Sequence, residues 1–157
     1  MIYKGLELDH LGQYIDVSTV KTDCAIQEID EMIEIVAKHN CICASPMPWA
    51  TEYTIGKLKS VTGTVVTGVV GFPSGAETTG AKVRTARELI ALGCRELDMV
   101  INVAALKSGM YEYVKSDVKA VIDACLLYTS CQVTRIENPR NRSQKTGYNI
   151  RRNFDPV

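Results

Sequence analysis

The stretch TVVTGVVGF at residues 64–72 is β-branched and almost continuously apolar. A strand with one face in water alternates apolar and polar residues, so this run reads as a parallel strand covered on both faces. Such a strand needs helices packed over it, and the surrounding sequence supplies them. GQYIDVS (12–18), CICAS (41–45) and RELDMVIN (95–102) are three further short apolar runs. Helical period fills the intervals. Ile26, Ile29, Ile33 and Val36 share one face after an N-cap candidate at Thr22, and a short helix from Thr51 to about Val61 turns Leu58 and Val61 inward. Val83, Ala86 and Ile90 align within 79–92, and Val114, Val118, Val121, Ile122 and Cys125 align within 110–125. Asn40 and Gly93 suit left-handed helix stops. Four βα units in succession predict a parallel α/β class, as half of a closed (β/α)₈ barrel or as a doubly wound sheet. No GxGxxG or P-loop follows the first strand, which argues against a nucleotide-binding doubly wound domain.

The length of 157 residues suits one compact domain. A formal net charge of zero gives no electrostatic case for nucleic acid or an anionic membrane, and no apolar run approaches the roughly 20 residues of a membrane span. The start, MIYKGLELDHLG, has acidic residues and no apolar core of a secretory signal. Six cysteines without a CxxC pair, and two histidines far from any zinc-like spacing, predict free thiols in the cytoplasm and no metal site. Neutrality hides a split. Residues 132–157 hold six basic and two acidic side chains, so the preceding 131 carry a net −4. The basic stretch lacks helical or strand period, and the expected organisation is an ordered 1–125 followed by an irregular, disordered 126–157.

In either α/β architecture the chemistry lies at the carboxyl ends of the strands. The third of these loops, GFPSGAETTG, is built for close backbone approach by Gly71, Gly75 and Gly80. The fourth strand places Asp98 directly before Met99, Val100 and Ile101. A carboxylate there is costly unless paired, so Asp98 is either held by backbone amides or a structural lysine, or is a catalytic group.

The segment VVGFPSGAETTGAKVRTARELIALGCRELDMVINVAALKSGMYEYVKSDVKAVIDA resembles deoxyribose-phosphate aldolase, a class I aldolase family. YIDVSTVKTD (14–23) and CICASP (41–46) are similar to its first two strands, and the resemblance spans about residues 12–125. It implies the N-terminal half of a (β/α)₈ barrel, a phosphorylated-sugar substrate, possible homo-oligomers and no cofactor. The implied reaction cleaves 2-deoxyribose 5-phosphate to acetaldehyde and glyceraldehyde 3-phosphate through a lysine Schiff base. Under the resemblance Asp98 matches the aspartate of the proton relay around that lysine. Asp16 and Ser18 match first-strand positions, Ser18 standing where the family has Thr. Cys43 matches a cysteine near the substrate pocket, though a packed core thiol explains it equally.

The resemblance ends between Ala124 and Leu127, and LLYTSCQVTRIENPRNRSQKTG reads as a frameshift, chimeric join or read-through. The family's Schiff-base lysine, in a KTSTG setting on strand six, has no counterpart in the 157 residues. Lys145 precedes Thr-Gly without a buried strand before it, and Lys21 and Lys107 read as solvated or structural. The expectation is a chain inactive by itself, whose parent protein is the aldolase. The alternatives are a non-catalytic, self-associating half-barrel and a doubly wound α/β binding domain.

Overall fold

The computed structural model describes residues 2–3, 6–126, 131–136 and 147–152, with side chains over 10–126. A short antiparallel pairing of Ile2–Tyr3 with Leu6–Glu7 precedes the main sheet. The chain divides into two compact units, 1–67 and 68–157, and the division falls inside a strand.

The first unit contains β1 (Asp16–Thr19), α1 (Ile26–His39), β2 (Cys43–Pro46), α2 (Thr51–Leu58) and the first residues of β3 (Val65–Val70). β1 and β2 run parallel with Asp16 opposite Cys43 and Ser18 opposite Ser45, and β2 pairs parallel with β3 at Cys43–Val65 and Ala44–Val66. Ile29, Met32 and Val36 of α1 are buried with Cys41, Ala44, Ala50, Leu58 and Val66, and Val17 packs against this cluster. Each such aliphatic side chain contributes about 1.5–3 kcal/mol on burial. The helix begins at Ile26, later than the Thr22 cap expected from sequence. The backbone N–H of Ala25 donates to the Glu28 carboxylate at 3.0 Å, which replaces a hydroxyl cap. Asn40 closes it in the left-handed region, φ 49°, as its sequence position indicates.

The second unit contains the rest of β3, α3 (Thr79–Leu92), β4 (Glu96–Val100), α4 (Val103–Lys107) and α5 (Tyr111–Leu126). The α3 bounds coincide with the sequence reading: Thr78 Oγ1 accepts from the Ala81 N–H at 3.3 Å, and Gly93 terminates the helix at φ 111°. The short α4 follows β4 directly, too brief to show a helical period in the sequence. Its cue is Asn102, whose side chain accepts from the Ala105 N–H at 2.9 Å.

Along the sheet the order is β1-β2-β3-β4, followed by two strands from the stretch expected to be irregular. These are β5 (Cys131–Ile136) and β6 (Gly147–Arg152), and β6 pairs antiparallel with β4 from Glu96–Arg151 to Val100–Gly147. The expectation of an irregular 126–157 is thus corrected for these two segments. The reason is backbone rather than side chain: without β6 the outer edge of β4 would leave its N–H and C=O groups without a ladder, and such an edge templates a strand from a sequence without strand period. The sequential order of the first four strands excludes the doubly wound alternative, in which strand order reverses at a switch point.

Candidate active site

Alternation along the strands sorts the predicted site residues by face. In the first unit Val17, Ala44 and Val66 belong to the core under α1 and α2, and Thr19 Oγ1 donates to the Met32 sulfur at 3.5 Å. Their neighbours Asp16, Ser18, Cys43, Ser45 and Thr67 therefore turn to the opposite face of the sheet. There Cys43 Sγ is hydrogen-bonded to Thr67 Oγ1 and lies 3.5 Å from Ser45 Oγ. Cys43, Ser45 and Thr67 are buried, while Asp16 and Ser18 on β1 are exposed. The structure thus brings three predicted positions, Asp16, Ser18 and Cys43, onto one face of adjacent strands.

Asp16 also acts on the thiol of Cys41. Burial, and secondarily the negative charge of Asp16, push that thiol above its ordinary value of 9.0. A folded state that holds its proton more tightly than the unfolded chain loses stability as pH rises. This contribution is fully present below 9.0 and is lost as pH climbs toward the raised folded value. Denaturant midpoints measured between pH 7 and 10.5 should fall on the alkaline side, and Cys41→Ala should flatten that fall.

In the second unit, Leu97 and Leu89 of α3 both close over the bare backbone of Gly68. Leu97 thus faces the helices, as do the buried Met99 and Ile101 by alternation. Glu96, Asp98 and Val100 turn to the other face, with Glu96 buried and Asp98 half-buried. The question raised by a carboxylate inside an apolar strand has a geometric answer: Asp98 leaves the apolar layer and stands on the face away from α3.

The carboxyl end of β4 is fixed by a group that sequence reading missed. Lys82 on α3 and Asp117 on α5 form an ion pair at 2.6 Å, both side chains 0% exposed. Thr79 Oγ1 donates to the second Asp117 oxygen at 2.7 Å, and Lys82 Nζ donates to the Val100 carbonyl at 3.3 Å. The glycine loop closes over this end. The Gly75 N–H donates to the Gly71 carbonyl at 2.6 Å, and a Cβ on Gly71 would lie 3.1 Å from the Lys82 Cε. The signal for the pair was present: Lys82 and Asp117 each occupy a core-facing helical position, spaced i,i+4 and i,i+7 from Ala86 and Leu89, and i−3 and i+4 from Val114 and Val121.

Lys82 is the one buried lysine among the residues whose side chains are described. Lys21 is exposed and lies 3.6 Å from Glu28; Lys107 is exposed at the end of α4. Lys145 lies outside the described residues. Among the described residues no group of three or more His, Cys, Asp or Glu side chains is placed to hold a metal ion, and no helix is long and apolar enough to cross a membrane.

No protein-family model matches the chain. It is 38% identical over 115 residues to the deoxyribose-phosphate aldolase of Klebsiella pneumoniae, covering 72% of this chain and 46% of that protein. It is 40% identical over 119 residues to the deoxyribose-phosphate aldolase of Clostridium novyi, covering 73% and 51%. The solved tetrameric deoxyribose phosphate aldolase of Aeropyrum pernix superimposes with a TM-score of 0.67 at 22% identity, over 76% of this chain and 49% of that one, a likeness of fold. The chain spans about half the length of the curated relatives it matches. Its parallel βα units are those of the N-terminal half of the (β/α)₈ aldolase barrel.

Proposed function

We propose, from the likeness of residues 12–125 to the first half of the deoxyribose-phosphate aldolases, that this chain carries the Asp98 half of an aldolase active site. The reaction is cleavage of 2-deoxyribose 5-phosphate into acetaldehyde and glyceraldehyde 3-phosphate through a lysine Schiff base, without a metal. In this reading Asp98 moves protons around the imine: one leaves the substrate hydroxyl as the carbon–carbon bond breaks, and one returns to the enamine carbon. Asp16, Ser18 and Cys43 line the substrate side of the sheet. The single observation that carries the reading is the position of Asp98, half-buried on the face of β4 opposite its helices.

The Schiff-base lysine comes from the second half of the barrel. A catalytic lysine must be desolvated without being locked in its charged form. Lys82 is desolvated but held by Asp117, and Lys21 and Lys107 are solvated. The chain alone therefore performs no turnover. The five buried free thiols among the described residues fit a reducing cytoplasm, and homo-oligomers of the whole enzyme fit the family.

The test is a chimera in which residues 12–125 replace the matching half of the Klebsiella pneumoniae enzyme. The chimera should cleave 2-deoxyribose 5-phosphate and form a borohydride-trapped adduct on a lysine of the second half. Asp98→Asn in the chimera should lower kcat by about 10²-fold or more. A folded chimera that forms no adduct would leave a non-catalytic half-barrel as the better description.

A further inference from the structure

The ladder on the outer edge of β4 is matched row by row. Its register sets Glu96 opposite Arg151, Leu97 opposite Ile150 and Asp98 opposite Asn149. The next strand continues the rows: Arg151 stands opposite Gln132, Ile150 opposite Val133 and Asn149 opposite Thr134. Charge thus meets opposite charge in the first row, apolar meets apolar across three strands in the second, and polar meets polar in the third. Residues directly opposite one another in an antiparallel pair share a face of the sheet, and matched pairs of this kind stabilise it.

Main-chain pairing accounts for a ladder but not for its register, because N–H and C=O groups repeat at every residue. A slip of β6 by one residue would set Leu97, 2% exposed, opposite either Asn149 or Arg151, and would turn every matched row to the wrong face. A slip by two keeps the faces but would set Glu96, 3% exposed, opposite an asparagine, either Asn149 or Asn153. A buried carboxylate is costly without a counter-charge, so this register is disfavoured as well. Within two residues either way, the observed register alone satisfies both the charged and the apolar row.

We propose that β5 and β6 form a register-keyed strap on the outer edge of β4, locked by the Glu96–Arg151 row and the Leu97–Ile150–Val133 row, which opens and closes one flank of the Asp98 site. The charge of the two parts is complementary: residues 132–157 hold six basic and two acidic side chains, against a net −4 in the preceding 131. With the strap in place, Asn149 and Thr134 complete the row of Asp98 and give that carboxylate a polar neighbour strand. The strap rests on the ladder alone and stands whether or not Asp98 is catalytic.

Hydrogen–deuterium exchange of the full 157-residue chain tests the strap. In the parent chain the amides of residues 147–152 should be protected. Arg151→Glu sets a second carboxylate in the row of Glu96 and should speed exchange of residues 147–152 by about tenfold or more, while the amides of α3 keep their parent rates. Ile150→Lys, in the row of Leu97, is a second variant with the same expected effect. Arg152→Glu makes the same change of charge one residue along, opposite Cys131 rather than in the row of Glu96, and should leave exchange unchanged. The swap of Glu96→Arg with Arg151→Glu should return protection to within about threefold of the parent. Unprotected amides at 147–152 in the parent, equal exchange in the Arg151→Glu and Arg152→Glu chains, or a swap that recovers nothing overturns the proposal. So does loss of protection throughout α3 in both the Arg151→Glu and Ile150→Lys chains, because a strap opens without unfolding what it covers.

Discussion

Lys82→Met should cost about 3–5 kcal/mol of folding stability, a loss large enough to unfold a chain of this size under mild denaturant. The substitution keeps the length and apolar stem of the lysine but leaves Asp117 charged with one partner, Thr79, in a site with no exposure. Asp117→Leu should cost a similar amount, because Lys82 then retains only the Val100 carbonyl at 3.3 Å. The double variant, Lys82→Met with Asp117→Leu, should recover most of either loss, since two apolar side chains pack where two ions had to be desolvated. Urea unfolding followed by circular dichroism gives the three free energies and hence the coupling. Additive losses in the double variant would show that the two residues do not act as a pair.

Gly75→Ala should be comparably severe, for a different reason. Gly75 sits at φ +65°, and an added Cβ would collide with the carbonyl group of Ile101 at the end of β4. Backbone strain at a non-glycine residue costs about 1–3 kcal/mol and overpacking about 1–3 more. The neighbour is main chain rather than a flexible side chain, so it cannot swing aside. The expected loss is about 2–6 kcal/mol, read as a lower thermal midpoint. Gly80→Ala is the contrast: Gly80 lies in α3 with only the Arg84 guanidinium within 4 Å, at 3.6 Å, and should be neutral or stabilising. If Gly75→Ala is as mild as Gly80→Ala, the loop is not pressed against β4 as described.

Much of this could be read from the residues because period and burial agree. The run at 64–72 announced a strand covered on both sides, and Thr79, Gly93 and Asn40 marked helix ends that the structure keeps. The misreadings share a cause, which is that backbone partners leave weak traces in side-chain patterns. β6 forms on the edge of β4 through main-chain pairing, and α1 starts late because a glutamate replaces the expected hydroxyl cap. Lys82 was overlooked because a lysine in an apolar helical stripe reads as a solvated residue until its counter-ion on another helix is known. For the site, the face occupied by Asp98 follows from strict alternation, and the faces of Asp16, Ser18 and Cys43 follow in the same way. The family likeness, rather than any local pattern, is what attaches chemistry to those positions.

The β4–β6 ladder also has a consequence for the order in which the chain organises itself. Each βα unit joins neighbours separated by a few tens of residues, so its ends meet at low entropic cost. The ladder instead joins Glu96 to Arg151 and Val100 to Gly147, across the whole of α4, α5 and β5. Contacts of that sequence separation form slowly and are rewarded only once the nearer ones exist. The outer edge of β4 is therefore bare during the interval in which the rest of the sheet is already assembled. In a cell that interval is when a chaperone, or another strand, has its opportunity to reach it.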